Sequence, residues 1–356
     1  GGIGMGVVAG PAQRSVDEQL QADTYHQNAT VAGLITTQSS LQAINAVHGT
    51  PGQGEDLASL LGNLQNQFST LLNDPGNATQ QTRVVSTAAT VAQQVNVLSD
   101  TYTAQRQAAE DAINTETGTP NSALGSIGAL SEQIMKVKAA GQSTADLENQ
   151  RDAQVSTVSQ LLDVKVLEQP NGDMVITTAT GTELPSHGAA NPLSTTDVAV
   201  QPTSVYPSAG SNPTIPPIML GGTDITGQLK GGQLGANITL RDTTLPTYQA
   251  ELDEFAHNLA VQFAAHGLPL FTNSTGSVPP VGGSPVQSGY VGFAAVIQVN
   301  PAALANPSAV RDGLPSANGS GLARLRDRDR QRSQQGPRRR TTHVYQHAEP
   351  RPERHA

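Results

Sequence analysis

Residues 57–77 read Leu57-Ala58-Ser59-Leu60-Leu61-Gly62-Asn63-Leu64-Gln65-Asn66-Gln67-Phe68-Ser69-Thr70-Leu71-Leu72-Asn73-Asp74-Pro75-Gly76-Asn77. Leu57, Leu60, Leu61, Leu64, Phe68, Leu71 and Leu72 recur at spacings of three and four, which puts them on one stripe of an α-helix. Glu55 and Asp56 stand before the stripe, where carboxylates favour the positive end of the helix dipole. Asn73-Asp74-Pro75-Gly76 stops the helix, because Pro75 lacks an amide hydrogen and restricts the residue before it. Asn77, three residues ahead of Gln80, reads as a capping pair that opens the next helix.

Working outward, helical spacing dominates the first half of the chain. Arg14 to Val47 predicts one long amphipathic helix, with Leu20, Leu34 and Leu41 separated by whole heptads and Val31 and Ile44 three residues away. Gln27, Thr37 and Gln38 dilute its seam, so this helix is expected to need neighbours. After Asn77, Val84, Ala88, Val91, Val95, Leu98, Tyr102, Ala109 and Ile113 keep the spacing until Gly118-Thr119-Pro120-Asn121, where a kink or loop is expected. Ile127, Leu130, Ile134 and Val137 predict a fourth helix. Leu147, Val155, Val158 and Leu162 predict a fifth. At Asp163 the period turns from helical to alternating, and Val164, Val166, Met174 and Ile176 flank Pro170-Asn171-Gly172, a hairpin signal. The stretch 185–235, rich in Pro, Gly, Ser and Thr, predicts irregular strands. Helical spacing returns at Pro246 with Tyr248, Leu252, Phe255, Leu259 and Phe263, and a strand is predicted from Val291 to Val299.

Composition narrows the function. The 356 residues are 36% hydrophobic but 3% aromatic, without Trp, so Ala, Val and Leu supply the apolar surface. That supply suits long thin helices better than an aromatic-lined pocket. No apolar run approaches the roughly 18 residues of a membrane-spanning helix, and no membrane insertion is expected. A Cys count of zero removes disulfides, thiolate metal sites and cysteine nucleophiles, and leaves export open. The net charge of −9 is uneven: from Arg324 onward lie ten of the 20 basic residues against four of the 29 acids, which leaves the first 323 residues at −15. An acidic body repels phosphates, so no nucleic acid partner is expected.

Candidate chemical motifs are sparse. Gly4-Met5-Gly6-Val7-Val8-Ala9 fits a dinucleotide fingerprint but lacks the preceding strand and the later acidic residue, so it reads as the entry to a strand. Asp253 and His257, one turn apart, could form a general-base pair. His257 and His266 lie on opposite helix faces and cannot share a metal. His266 reads better as a helix C-terminal residue beside Gly267. Arg151-Asp152 and Arg241-Asp242 are the candidate subunit contacts, with an ordinary solvated charge pair as the alternative. The Arg-rich tail could bind nucleic acid or anionic lipid, but without an aromatic platform or helix it reads better as an unfolded polar end. No nucleophile, base and oxyanion site assemble from any spacing, so no catalytic residue, metal or cofactor is assigned.

Several stretches together resemble the family of flagellar hook-associated protein 1, which begins the junction between hook and filament. They are Gly4-Met5-Gly6-Val7-Val8 with Arg14 and Asp17; Leu71-Leu72-Asn73-Asp74-Pro75 followed by Arg83; Leu130 to Ile134; and Asp146-Leu147 with Gln150-Arg151-Asp152. Gly231-Gly232-Gln233-Leu234-Gly235, Arg241-Asp242, Leu245-Pro246, Tyr248, Leu252-Asp253, Ala256 and His266-Gly267 continue the series. Ile297, Val299-Asn300-Pro301-Ala302 and Val310-Arg311-Asp312-Gly313 complete it. No single box is very specific, but their order and spacing are. The similarity covers about residues 1–313 and omits the family's N-terminal helix and its C-terminal partner helix, so this chain is expected to be a fragment whose tail is out of frame or foreign.

The expected fold is α+β, mainly α: a discontinuous long-helix bundle, 1–162 plus 240–313, with an inserted β-rich outer domain, 163–239, and a tail, 314–356. The resemblance implies a structural, non-enzymatic role, secreted and extracellular at the hook–filament junction of the bacterial flagellum. It implies coiled-coil-like self-association, contacts with the hook protein and a second junction protein, type III export, and a cytoplasmic export chaperone at the native C-terminus. A secreted coiled-coil adhesin or effector is the alternative, and a hydrolase with a helical lid is a weaker competitor.

Overall fold

The computed structural model describes residues 14–188, 192–207, 214–280 and 290–314. The fingerprint-like Gly4 to Ala9 and the Arg-rich tail lie outside these residues. Helices α1 (Glu18–His48), α2 (Leu57–Asn73), α3 (Ala78–Glu116), α4 (Gly118–Ala139) and α5 (Ala145–Leu161) follow one another. Strands β1 (Val164–Glu168), β2 (Met174–Thr178) and β3 (Glu183–Leu184) form one antiparallel sheet. Strands β4 (Leu193–Ser194), β5 (Met219–Leu220) and β6 (Thr223–Asp224) form a second. The chain returns through α6 (Gly232–Thr239), a π-helical segment (Leu240–Thr244) and α7 (Leu245–Ala265). It closes with β7 (Phe271–Thr272) paired to β8 (Gln298–Val299), then α8 (Pro301–Ala305) and α9 (Ala309–Asp312). The fold is mainly α with small antiparallel sheets, as the periodicity predicts.

Local chemistry explains the boundaries. Asp17, Asp56 and Asn77 each cap a helix by accepting a backbone N–H in the first turn. The Gln80 side chain does not return to Asn77; it donates to Gln67 instead. The break expected at 118–121 is a single residue, Thr117, and α4 begins directly at Gly118. Pro120 falls in the first turn of α4, where a missing amide hydrogen costs no intrahelical bond. The hairpin forms with Glu168 opposite Met174, but Gly172 alone of the Asn-Gly pair has positive φ, at 96°. Pro170 at the first turn position favours an ordinary turn followed by a left-handed Gly rather than a two-residue mirror-image turn.

Two apolar cores lie along α3, whose 39 residues give it a length of about 58 Å. One core joins Ile44, Leu64, Leu71, Val91, Val95 and Leu98 to Ala256, Phe271, Phe293 and Val310. The other joins Tyr25, Ile113, Leu124, Ile127 and Val158 to Met174, Ile176, Ile218 and Leu234. Strands β1 to β5 therefore share a core with α1, α3, α4, α5 and α6. This differs from the expected separate β domain, because strands of two to five residues cannot enclose a core alone. The return to helix also comes earlier than Pro246, at Gly232. The strand expected over 291–299 is reduced to Gln298–Val299, with a 3-10 turn at Phe293–Ala295.

Candidate assembly surface and its buried supports

The heptad series on α1 divides between two sides: Leu20, Val31 and Leu34 lie on the face this helix leaves open, whereas Leu41 packs against the core and Ile44 is buried in it. Leu20, Val31, Leu34 and Ile35 are 65%, 43%, 64% and 62% exposed, and Thr24, Gln27, Gln38 and Gln42 beside them are exposed too. What α1 buries is Tyr25, Ala29, Ser40 and Ile44. The described chain supplies neighbours for α1 on the side of these residues. No Asp, Glu, Lys or Arg occurs between Asp23 and Glu55, so the open face is uncharged over most of its length. Long, apolar and uncharged exposed faces are features of interaction surfaces.

A glycine joint fixes the placement of α1. Gly231 and Gly232 turn the chain with φ of 64° and 63°, a region that disfavours side chains. A Cβ on Gly232 would lie 2.2 Å from the Leu161 carbonyl carbon, and a Cβ on Gly33 of α1 would lie 3.0 Å from the Gly232 oxygen. The end of α5, the start of α6 and the middle of α1 therefore meet backbone to backbone. Lys230 O accepts from Asp163 N at 2.9 Å across the same joint.

The candidate contact residues are placed as follows. Arg151 is 1% exposed; Nη1 donates to Gly172 O at 2.8 Å and Nη2 to Glu168 Oε2 at 3.0 Å, so the α5 guanidinium holds the hairpin tip. Asp152 accepts from Arg14 and, at 2.7 Å, from Gln21 Nε2, which ties α5 to the approach of α1. Arg241 in the π-helical segment donates to Glu110 Oε2 at 2.6 Å with both side chains 0% exposed, and makes a two-pronged pair with Asp242 at 2.7 and 2.8 Å. Arg106 donates to Arg241 O, Gln201 O and Ser204 O at 3.1, 3.2 and 2.8 Å. Desolvation pushes the Arg106 guanidinium down to about 10 and raises Asp242. Both arginines thus serve joints inside the chain.

Asp253 and His257 do not pair with each other. Buried Asp253 accepts from Gly292 N and Ala294 N, each at 2.8 Å, and from Gln249 Nε2 at 3.1 Å. His257 Nε2 lies 3.0 Å from Pro279 O, which can only accept, and its ring stacks on Tyr290 with centroids 4.5 Å apart. Together they fasten Pro279 and the segment 290–294, which follow α7 in the chain, to α7, a role that helical spacing alone does not reveal. His266 is the C-terminal cap residue of α7, followed by Gly267 at a φ of 82°.

Burial pushes the Asp253 carboxyl up to about 6, against the pull of its N–H donors. A folded value above the unfolded one near 4 contributes stability at low pH that is lost as pH rises through 6. The stability of the wild type minus that of Asp253→Asn is therefore expected to shrink by about 2–3 kcal/mol between pH 4 and 7. Urea unfolding across that range tests this, and parallel profiles for the two proteins would contradict it.

The comparisons agree with this architecture. The family profile "Flagellar hook-associated protein FlgK helical domain" matches residues 41–267. Flagellar hook-associated protein 1 of Bacillus subtilis (strain 168) is 27% identical over 184 residues, 51% of this chain and 36% of that protein. The structure of the flagellar hook junction protein FlgK from Burkholderia pseudomallei is similar with a TM-score of 0.55 and 26% identity, over 75% of this chain and 47% of that one. The chain spans 36% and 47% of the lengths of these two relatives. The matched residues run from the end of α1 through the glycine joint to the end of α7, and with more than half of its length so matched, the chain belongs to the FlgK family of flagellar hook-associated proteins.

Proposed function

We propose that this chain is a structural subunit of the bacterial flagellum that helps to link hook to filament at their junction by subunit packing, without catalysis. The family match over 41–267 carries this reading. The open seam of α1 supports it, as does the engagement of Arg106, Glu110, Arg151, Arg241 and Asp253 in internal joints. We place the protein outside the cell, exported through the flagellar type III channel, with hook protein on one side and a second junction protein on the other. Identical subunits would flank it, and a cytoplasmic chaperone would bind a native C-terminal end. Arg151-Asp152 and Arg241-Asp242 act here as supports of the packing surfaces.

The test is complementation of a strain that lacks its hook-associated protein, using residues 1–313 joined to the terminal helices of a relative and scored by electron microscopy. Filaments on hooks are the expected result. Bare hooks beside a chain that is exported and folded would overturn the reading and favour a secreted coiled-coil adhesin.

A further inference from the structure

We propose that Asn171, at the tip of the hairpin between β1 and β2, is a site of spontaneous covalent modification: its side-chain amide is lost through a cyclic imide formed with Gly172, and the product carries a carboxylate instead. This goes beyond the junction reading and does not depend on it. Both reacting atoms belong to neighbouring residues, so the reaction needs no partner and no cofactor, only water.

The step is a substitution at Asn171 Cγ. The Gly172 backbone nitrogen gives up its proton and forms a bond to Cγ; the Cγ–Nδ2 bond breaks, and the amide group takes up a proton and leaves as ammonia. Water then opens the imide. Cleavage of the new Cγ–N bond gives Asp. Cleavage of the original peptide bond gives isoaspartate, in which the main chain runs through Cβ and Cγ. Neither branch oxidises or reduces anything.

The turn favours each part of this step. Asp173 N donates to Asn171 Oδ1 at 2.9 Å. A side-chain oxygen bound to the amide two residues on folds the carboxamide back over the intervening peptide, which brings Cγ toward Gly172 N. The same N–H donates to the oxygen on which negative charge develops during attack. Gly172 has no Cβ to obstruct the approach, and exposed Asn171 has no partner for its Nδ2 among the described residues. The Gly172 N–H donates to Gln169 O at 2.9 Å, and that bond must open first. It lies at the end of a two-strand ribbon beside exposed Pro170 and Asn171, where local opening is easiest. Asn273 provides an internal comparison: its Oδ1 accepts from Thr275 N at 3.0 Å in the same manner, but the nitrogen that would attack belongs to Ser274, whose Cβ crowds it.

The isoaspartyl product has the larger structural consequence. Buried Arg151 donates through Nη1 to Gly172 O at 2.8 Å, and its Nε has no partner among the described residues. A Cβ on Gly172 would lie 2.9 Å from Ile134 Cγ2, so the tip has little room to shift toward α4. An extra main-chain carbon before Gly172 therefore displaces Gly172 O from the guanidinium and releases the hairpin from α5. The Asp product keeps the ordinary main chain and that bond.

Ageing the folded full chain in mildly alkaline buffer, then freeing residues 169–183 with a protease that cuts after Glu168 and Glu183, tests the proposal. Mass spectrometry is expected to show Asn171 acquiring the mass of the acid ahead of Asn273 and every other described Asn. Isoaspartyl methyltransferase is expected to label the same peptide, and Asn171→Gln to abolish both signals. The aged isoaspartyl fraction is expected to unfold at lower urea than fresh Asn171→Asp, which carries the same charge on an ordinary main chain. A folded chain that keeps the Asn171 amide while the urea-unfolded chain loses it, another described Asn that converts first, or equal urea midpoints for the isoaspartyl fraction and Asn171→Asp would each overturn the proposal.

Discussion

Gly232→Ala is expected to destabilise the protein by about 3–5 kcal/mol, combining a left-handed backbone with a steric clash. The added methyl would lie 2.2 Å from the Leu161 carbonyl carbon, 2.3 Å from its oxygen and 2.5 Å from Leu162 N, all backbone atoms at the end of α5. No flexible side chain can move aside, so α5 and α6 must separate. Because Gly33 of α1 packs on the Gly232 oxygen, that separation also loosens α1, the helix carrying the open seam. Gly222→Ala is the matched control: its φ is 88°, also left-handed, with nothing within 4 Å of the new methyl. It should cost about 1–2 kcal/mol, the conformational part alone. Urea unfolding of the two variants separates backbone strain from close approach. Equal losses would show that the contact with α5 carries no energy of its own.

The helical half of the fold is legible because its stops and caps are local. Asn73-Asp74-Pro75-Gly76 ends α2 and Asn77 opens α3 through groups a few residues apart, so reading neighbours is enough. Residues 231–235 are different. Three Gly in five residues suggest a loop by propensity, yet α6 starts at Gly232 because tertiary contact with α1 and α5 demands residues without side chains there. The seam of α1 teaches a related lesson. Its heptad spacing is plain in the sequence, but spacing does not say which members are covered: Leu20, Val31 and Leu34 stay exposed, whereas Leu41 and Ile44 of the same series pack in the core. The joint of Arg106, Glu110 and Arg241 escaped for another reason. Its members lie 131 and 135 residues apart in the bonds they make, beyond the reach of any local pattern.

That joint sets the second large effect. Glu110→Ala is expected to cost about 3–5 kcal/mol, because it leaves Arg241 buried with one carboxylate fewer. Arg241 Nη1 would lose its acceptor at 2.6 Å, in a place where both side chains are 0% exposed and water cannot substitute. Asp242 would still hold the other side of the guanidinium, but Arg106 stands close by, so two cations would face a single carboxylate. The same Glu110→Ala change in an Arg241→Met background is expected to cost less than half as much, since no guanidinium then remains to be orphaned. A double-mutant cycle by urea unfolding measures that difference directly. Equal costs in the two backgrounds would mean that the ion pair is incidental and that Glu110 acts through its contact with Asn114, at 3.0 Å. A large coupling would mean that α3, the segment 201–204 and the π-helical turn are held in one arrangement by charge. Apolar packing could stabilise those elements equally well, but it would tolerate a slipped register, whereas a guanidinium with fixed acceptors does not.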